Sequence, residues 1–318
     1  MKMHAPRIAA AIALAISAPA AKAEFSFART DGTLQLLDGG KLITSFRTDY
    51  RVPYLYPLTA PSGANILRHW PMEKDAPSEE KDHPHHRGVW LSHGNVNGYD
   101  FWAGTGNKDA SIKEKSIYGE KVENGVASFN ADLYWSVDGA AAILTEDRRH
   151  FISRPDADTL RIDISSRLTA RNGDVVFGDT KEGTFAIRTD RTLRVKGKEA
   201  KATLTNSNGE TDLDAWGKRA TWPPTPAPDE LGKPVVVAIL DDPSSFRHPT
   251  HWHARDYGLL AANPFGIHDF EKNKDKKAGN HVLKKGESIM LKYTVIIHSG
   301  SLESAKLDEI HRSLSSKP

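Results

Sequence analysis

Two stretches of this 318-residue chain concentrate side chains able to move protons, bind metals or grip anions. The first, DHPHHRGVWLSH, sets His83, His85, His86 and His93 around Arg87 and Trp90. The second, RHPTHWHARDYG, sets His248, His251 and His253 around Arg247, Arg255 and Trp252, with His268 not far beyond. Eight of the fourteen histidines therefore fall within 83–93 and 248–268, a concentration that core packing does not call for. Any one of them could simply satisfy a buried backbone group, but clustered imidazoles suggest a site, because imidazole titrates near neutral pH and is the commonest metal ligand. One chemistry open to them is metal binding. In an extended strand His83 and His85 point the same way, as do His251 and His253, and H-x-H spacing lets two imidazoles share a cation. The arginines in both clusters oppose this, since they repel a dication and suit carboxylate or hydroxyl-rich ligands.

The other chemistry is acid–base work on a sugar. Trp90 and Trp102 flank the first cluster, Trp216 stands in DAWGKRATW and Trp252 lies inside the second. A single Trp is most simply core, whereas several beside polar motifs offer flat apolar walls that fit the C–H face of a pyranose. VNGYDFW adds Asn97 and Asp100, and GDTKEGTF sets Asp179 and Glu182 about Lys181, between Gly178 and Gly183. An exposed carboxylate next to a lysine has the tunable pKa of a general base, although an ordinary turn residue would look the same.

The elements that must position these residues are strands. LRIDISSRL places Leu160, Ile162, Ile164 and Leu168 on one face, and SFNADLYW and SIMLKYTVIIH alternate in the same way, as half-buried antiparallel strands do. Thr33 to Leu37, Lys41 to Arg47, Phe185 to Arg188 and Val235 to Leu240 are further strand candidates, separated by turns such as LDGGK, RNGD and NSNG. Helical spacing occurs only near the end, where Leu307, Ile310 and Leu314 predict a short docked helix. The fold class is therefore all-β, a large antiparallel β-sandwich with a short C-terminal helix. The proline-rich TWPPTPAPDELGKP, 221 to 234, reads as a long surface loop rather than a domain linker, because the two histidine clusters lie on either side of it.

Composition narrows the function. Lys2 and Arg7, the apolar run Ile8 to Ala18 and the small-x-small Ala21-Lys22-Ala23 read as a signal peptide over residues 1–23, leaving 24–318 as a single β-sandwich domain in the periplasm or outside the cell. The apolar run is too short to span a bilayer, so no membrane span is expected after its removal. Without Lys2, Arg7 and Lys22, and with no acid lost, 40 basic residues stand against 41 acidic ones, a net charge of −1 that offers nucleic acid no basic field. With no cysteine in the chain, thiolate metal sites and Cys nucleophiles are excluded.

DHPHHRGVWLSHGNVNGYDFW, GDTKEGTFAIR, AWGKRATW, HPTHWHARDYGLLAANPFG and LKKGESIMLKYTVIIHSG together resemble the bacterial PmoA-like family, over about Tyr54 to Gly300. The resemblance implies a secreted or periplasmic protein of a carbohydrate-degrading bacterium, with a sandwich similar to that of galactose-mutarotase-like proteins. It carries over His83, His85, His86, Arg87, Asn97, Gly98, Asp100, Trp102, Glu182, Trp216, Arg219, His253, Arg255, Asn263 and Phe265. The chain departs from the family pattern at Asn95, where Asp is common, and at Pro223 to Pro228, where an Asp-Tyr pair is usual.

The expected function is a carbohydrate-active enzyme performing hydrolysis, elimination or epimerisation. Glu182 is expected as the base and His86, His253 and His83 as acid or electrophilic partners. His85, Arg87, Asn97, Asp100, Trp102, Trp216, Arg219, Arg255 and Asn263 are expected to bind the sugar, and no organic cofactor is expected. Two rivals are a non-catalytic carbohydrate-binding module and a mononuclear metalloenzyme with one ion on His83, His85 and His253. The enzyme reading requires the two histidine clusters to form a single site closed by Glu182 and Trp216.

Overall fold

The computed structural model describes residues 23–76, 79–104 and 110–315; the expected signal peptide falls outside them except for Ala23. Two antiparallel sheets account for most of it. The first has eight strands in the order β1 (Phe25–Thr30), β2 (Thr33–Asp38), β3 (Lys41–Arg47), β4 (Tyr54–Leu58), β5 (Val89–His93), β11 (Gly183–Arg188), β15 (Leu259–Asn263) and β14 (His251–Trp252). The second has seven, in the order β12 (Pro224–Pro228), β13 (Pro234–Asp241), β17 (Ser288–Ser299), β9 (Thr159–Ala170), β8 (Leu144–Asp156), β7 (Val126–Val137) and β6 (Ala110–Glu123). A separate pair joins β10 (Val175–Phe177) to β16 (His281–Leu283), and the helices are a single turn α1 (Ile267–Phe270) and α2 (Leu307–Leu314).

The alternation read from the sequence is what packs the sheets together. Along β7 every second residue is buried, and Ala127, Phe129, Ala131, Leu133 and Trp135 enter one core with Ile162, Ile164 and Leu168 of β9. Rings from the two sheets meet across that core: Phe185 of β11 stacks on Tyr293 of β17 at 4.8 Å, and Phe46 of β3 meets Phe129 of β7 edge-on at 5.5 Å. The outer face of the second sheet carries α2, whose Leu307 and Leu314 pack on Val236, Ala238, Leu240 and Ile296. This is the antiparallel sandwich with a short C-terminal helix that the periodicity predicts. Among the described residues no helix is long and apolar enough to cross a membrane.

The proline-rich segment corrects one expectation. Pro224–Pro228 is not a surface loop but an edge strand, paired with β13 from Pro224↔Ala238 to Pro228↔Pro234. Prolines at 224, 226 and 228 share one side of the strand, so Thr225 and Ala227 keep the N–H groups that can face β13. Prolines in alternate positions remove donors only from the side that has no neighbouring strand.

The site residues gather on the first sheet. β5, β11, β15 and β14 lie side by side, with Trp90 opposite Ala186, Ala186 opposite Ala261, and Trp252 opposite Ala262. The two histidine clusters, separated by about 160 residues in the chain, thus lie at β5 and β14, with only β11 and β15 between them in the sheet. Sequence separation costs little here, because antiparallel neighbours need only a loop long enough to return.

Candidate functional site

The first cluster is organised by Asp82. Arg68, fully buried, donates from Nη1 to Asp82 Oδ1 at 2.7 Å and to the Asp82 carbonyl at 2.9 Å, and from Nη2 to the His83 and His86 carbonyls at 2.8 and 3.2 Å. Arg188, equally buried at the end of β11, donates from Nη2 to Asp82 Oδ1 at 3.0 Å and to Oδ2 at 3.2 Å. His83 Nδ1 makes a short contact with Oδ2 as well. Burial alone would raise the Asp82 carboxyl, but the hydrogen bond from His83 and the charges of Arg188 and Arg68 hold it far below the usual carboxylate range.

Above this anchor the rings pack into one cluster. His86 stacks on Trp90 at 5.3 Å, His83 stacks on His86 at 4.7 Å, and Tyr257 stacks on His83 at 5.2 Å. His85 and Trp102 close its side, meeting His86 edge-on at 4.4 and 5.6 Å. Residues 83–86 form a turn, closed by the His86 N–H on the His83 carbonyl at 3.0 Å, with His83 at φ +43°. The extended H-x-H geometry expected for His83 and His85 is therefore absent, and their rings lie edge to face at 5.7 Å.

The second cluster is organised by the loop before β11. His253 Nδ1 donates to the Lys181 carbonyl at 2.7 Å, and Asn263 Nδ2 donates to the Thr180 carbonyl at 2.9 Å, so the loop carrying Glu182 is tied down at two points. Gly94 lets it approach β5. A Cβ there would lie 2.8 Å from Glu182 Cβ, and the Gly94 N–H instead reaches the Glu182 carbonyl at 2.7 Å. The Glu182 carboxylate stays 39% exposed, with Lys181 Nζ at 3.1 Å. Burial drives His253 down to about 4, against the pull of the Glu182 charge and the Lys181 carbonyl. Trp216 meets the His253 ring edge-on at 6.2 Å.

The two buried imidazoles have opposite tautomers, fixed by what each touches. Arg188 Nη1, which can only donate, lies 3.1 Å from His86 Nδ1, so His86 carries its proton on Nε2. That Nε2 is buried without a hydrogen-bond partner among the described residues. A carbonyl can only accept, so His253 carries its proton on Nδ1 and leaves the lone pair on Nε2. Burial holds His86 neutral, with its pKa well below the ordinary histidine value.

Tyr257 joins the clusters. Its ring faces His83, Arg188 Cζ lies over it at 4.6 Å and Arg255 Cζ at 5.6 Å. Burial pushes its hydroxyl up to about 12, and its environment includes the charges of both Glu182 and Asp82. Nothing in the sequence singled out Tyr257, Arg68 or Arg188.

Other expected residues sit apart from this arrangement. Asn97 is exposed in a turn and accepts the Val176 N–H at 2.7 Å. Asp100 caps the Trp102 and Ala103 N–H groups at 2.8 and 2.9 Å. Arg87 lies over Tyr50 at 3.8 Å. Arg219 reaches the Pro249 carbonyl at 2.9 Å and stands 3.6 Å from Glu271, which also holds His251 Nε2 at 2.9 Å. His93 lies in the core against Phe265 at 4.8 Å, donating to the Gly178 carbonyl at 2.8 Å. A cavity of about 830 Å³ with no histidine in its lining is bordered by Phe151, Arg161, Lys292 and Leu314, on the side of the second sheet near the end of α2.

Comparison with known proteins adds a family. The model of DUF6807, a family of unknown function, matches residues 33–312, and the chain belongs to that family. This corrects the PmoA-like resemblance, since the matched region contains all the motifs that suggested it and is assigned to DUF6807 instead. No curated protein matches the chain. Among solved structures it is similar to the Slr1438 protein of Synechocystis sp. PCC 6803, at 10% identity, a TM-score of 0.34 and coverage of 90% of this chain and 100% of that one. It is also similar to a galactose 1-epimerase of Lactobacillus acidophilus NCFM, at 9% identity, a TM-score of 0.35 and coverage of 88% and 99%.

Proposed function

We propose that this DUF6807 member is an exported carbohydrate-active enzyme that moves protons on a bound sugar or glycoside with two neutral imidazoles and one carboxylate. The observation that carries the reading is the opposite tautomers of His86 and His253. One ring offers an N–H at Nε2 and the other a lone pair at Nε2, so a ligand that reached both would meet a donor and an acceptor without either having to titrate first. Glu182 supplies the negative charge that would stabilise an imidazolium formed on His253. Tyr257 and Trp216 supply the flat surfaces, and Arg255 the cation over one of them. In this reading His253 takes the proton at Nε2, Glu182 holds the resulting charge and His86 donates to a substrate oxygen. His83 and His85 position His86 through their rings.

The test is a screen of the purified chain from Glu24 onward against free sugars and glycosides, following ligand binding and turnover by NMR. Glu182→Gln and His253→Gln should each lower turnover by about 100-fold or more while the same sugars still bind. Sugar binding without turnover in the unaltered protein would select the non-catalytic module instead.

A further inference from the structure

Three residues from distant parts of the sequence converge, two of them close to Arg68 and Arg188 in the chain. His69 follows Arg68, Asp190 lies two residues after Arg188, and Glu230 comes from the turn between β12 and β13 in the other sheet. One nitrogen or oxygen from each falls within 4.8 Å of the other two. Every one of them is also held from behind. His69 Nδ1 faces Glu73 at 3.1 Å, and Glu73 is itself held by the Tyr56 hydroxyl. Asp190 Oδ1 accepts the Thr192 N–H at 2.9 Å, and Glu230 Oε1 accepts the Asn65 N–H at 3.3 Å. A carboxylate behind the imidazole is the usual support of a metal-ligating histidine.

The independent sign is Asp190 itself. Its side chain is 1% exposed, yet Oδ2 has no hydrogen-bond partner among the described residues. Arg191 Nη1 stands 3.8 Å from that oxygen, too far for a hydrogen bond, and its Nε is engaged by Glu199 at 2.7 Å. A buried carboxylate oxygen left without a donor is costly, and a cation removes the cost.

We propose that His69, Asp190 and Glu230 bind a divalent transition-metal cation of the zinc type, which clips the turn after β12 to the segments that carry Arg68 and Arg188. One imidazole and two carboxylates suit such an ion, and three protein ligands leave one position for water. Ligands of a tetrahedral ion lie about 3.4 Å apart for bonds of about 2.1 Å. Glu230 Oε2 already lies 3.3 Å from His69 Nε2, close to that spacing. The cation positions rather than catalyses: two of its ligands lie close to Arg68 and Arg188 in the chain, and the three include none of the residues given an acid–base role.

The experiment is titration of the metal-stripped full mature chain with Zn2+ alone, by calorimetry and by the thermal unfolding midpoint. One ion per chain should bind and raise the midpoint. Glu230→Gln and Asp190→Asn should each weaken binding by tenfold or more. His83→Ala should leave it unchanged, which separates this site from the histidine cluster. The proposal falls if no saturable binding occurs, if binding survives both carboxylate substitutions, or if it is lost with His83→Ala. Sugar binding by the stripped protein reads the proposed function separately, because that function does not route a step through the ion.

Discussion

Asp82 and Glu182 are both acids beside histidines on the same sheet, yet they are equipped for opposite tasks. Asp82 is met by two buried guanidiniums and an imidazole, so its charge is fully spent on holding neighbours in place. Among the described residues Glu182 has Lys181 at 3.1 Å as its ion-pair partner, and it remains 39% exposed beside a histidine whose Nε2 carries the lone pair. A saturated carboxylate anchors, whereas one with a single solvent-screened partner keeps the capacity to respond to a ligand. The kinds of residue are the same in both places; how many donors reach the oxygens makes the difference.

Acid should act on both centres and have the largest effect. Burial comes first in holding His85, His93, His251 and His253 near 4, against an ordinary value of 6.5. The unfolded chain takes up these protons near 6.5 and the folded chain only near 4, so the stability they contribute is complete above 6.5 and is lost as the pH falls through that window. Each proton is worth about 1.4 kcal/mol per pH unit, and unfolding free energies from urea titrations at pH 7 and pH 5 should differ by several kcal/mol. The contribution of Asp82 has the same sign but lies lower, being lost only below its unfolded value of 3.8. A flat profile between pH 7 and 5 would mean these histidines are hydrated.

Next in size is Asp82→Ala, which strands Arg68 and Arg188 in the interior. A loss of about 3 kcal/mol or more in urea unfolding is expected, as for other broken buried pairs. A loss below about 1 kcal/mol would erase the contrast between the two acids.

Tyr257→Ala removes the ring stacked on His83 and lying under Arg188. It should cost about 2 kcal/mol and weaken sugar binding more than Glu182→Gln does. The smallest effect belongs to Glu182→Gln, whose stability should lie within about 0.5 kcal/mol of the parent even though turnover falls.

Much of the fold was open to reading because it follows from period. β7, β9 and β17 alternate cleanly, and Leu307, Ile310 and Leu314 mark α2. The clusters were visible as composition, but their internal order was not. Arg68 in NILRHW and Arg188 in FAIRT look like the charged ends of apolar segments, and only tertiary placement shows that both are buried. His93 reads as a member of the first cluster, yet strand alternation turns it into the core against Phe177 and Phe265. His69, Asp190 and Glu230 share no spacing at all, since 121 and 40 residues separate them in turn. The strand β12 was hidden by its prolines, which argue against a strand everywhere except at an edge.

That edge bears on how the protein behaves at high concentration. For another chain to zip onto a sheet, the border must offer N–H and C=O groups in alternation. Along β12 the outward positions belong to Pro224, Pro226 and Pro228, so the border presents carbonyls alone. One of these, on Pro224, is already taken by the Thr205 N–H at 3.4 Å. The β12 rim of the second sheet is thus closed to fibre-like growth by three ring nitrogens, with no charged residue spent on the task.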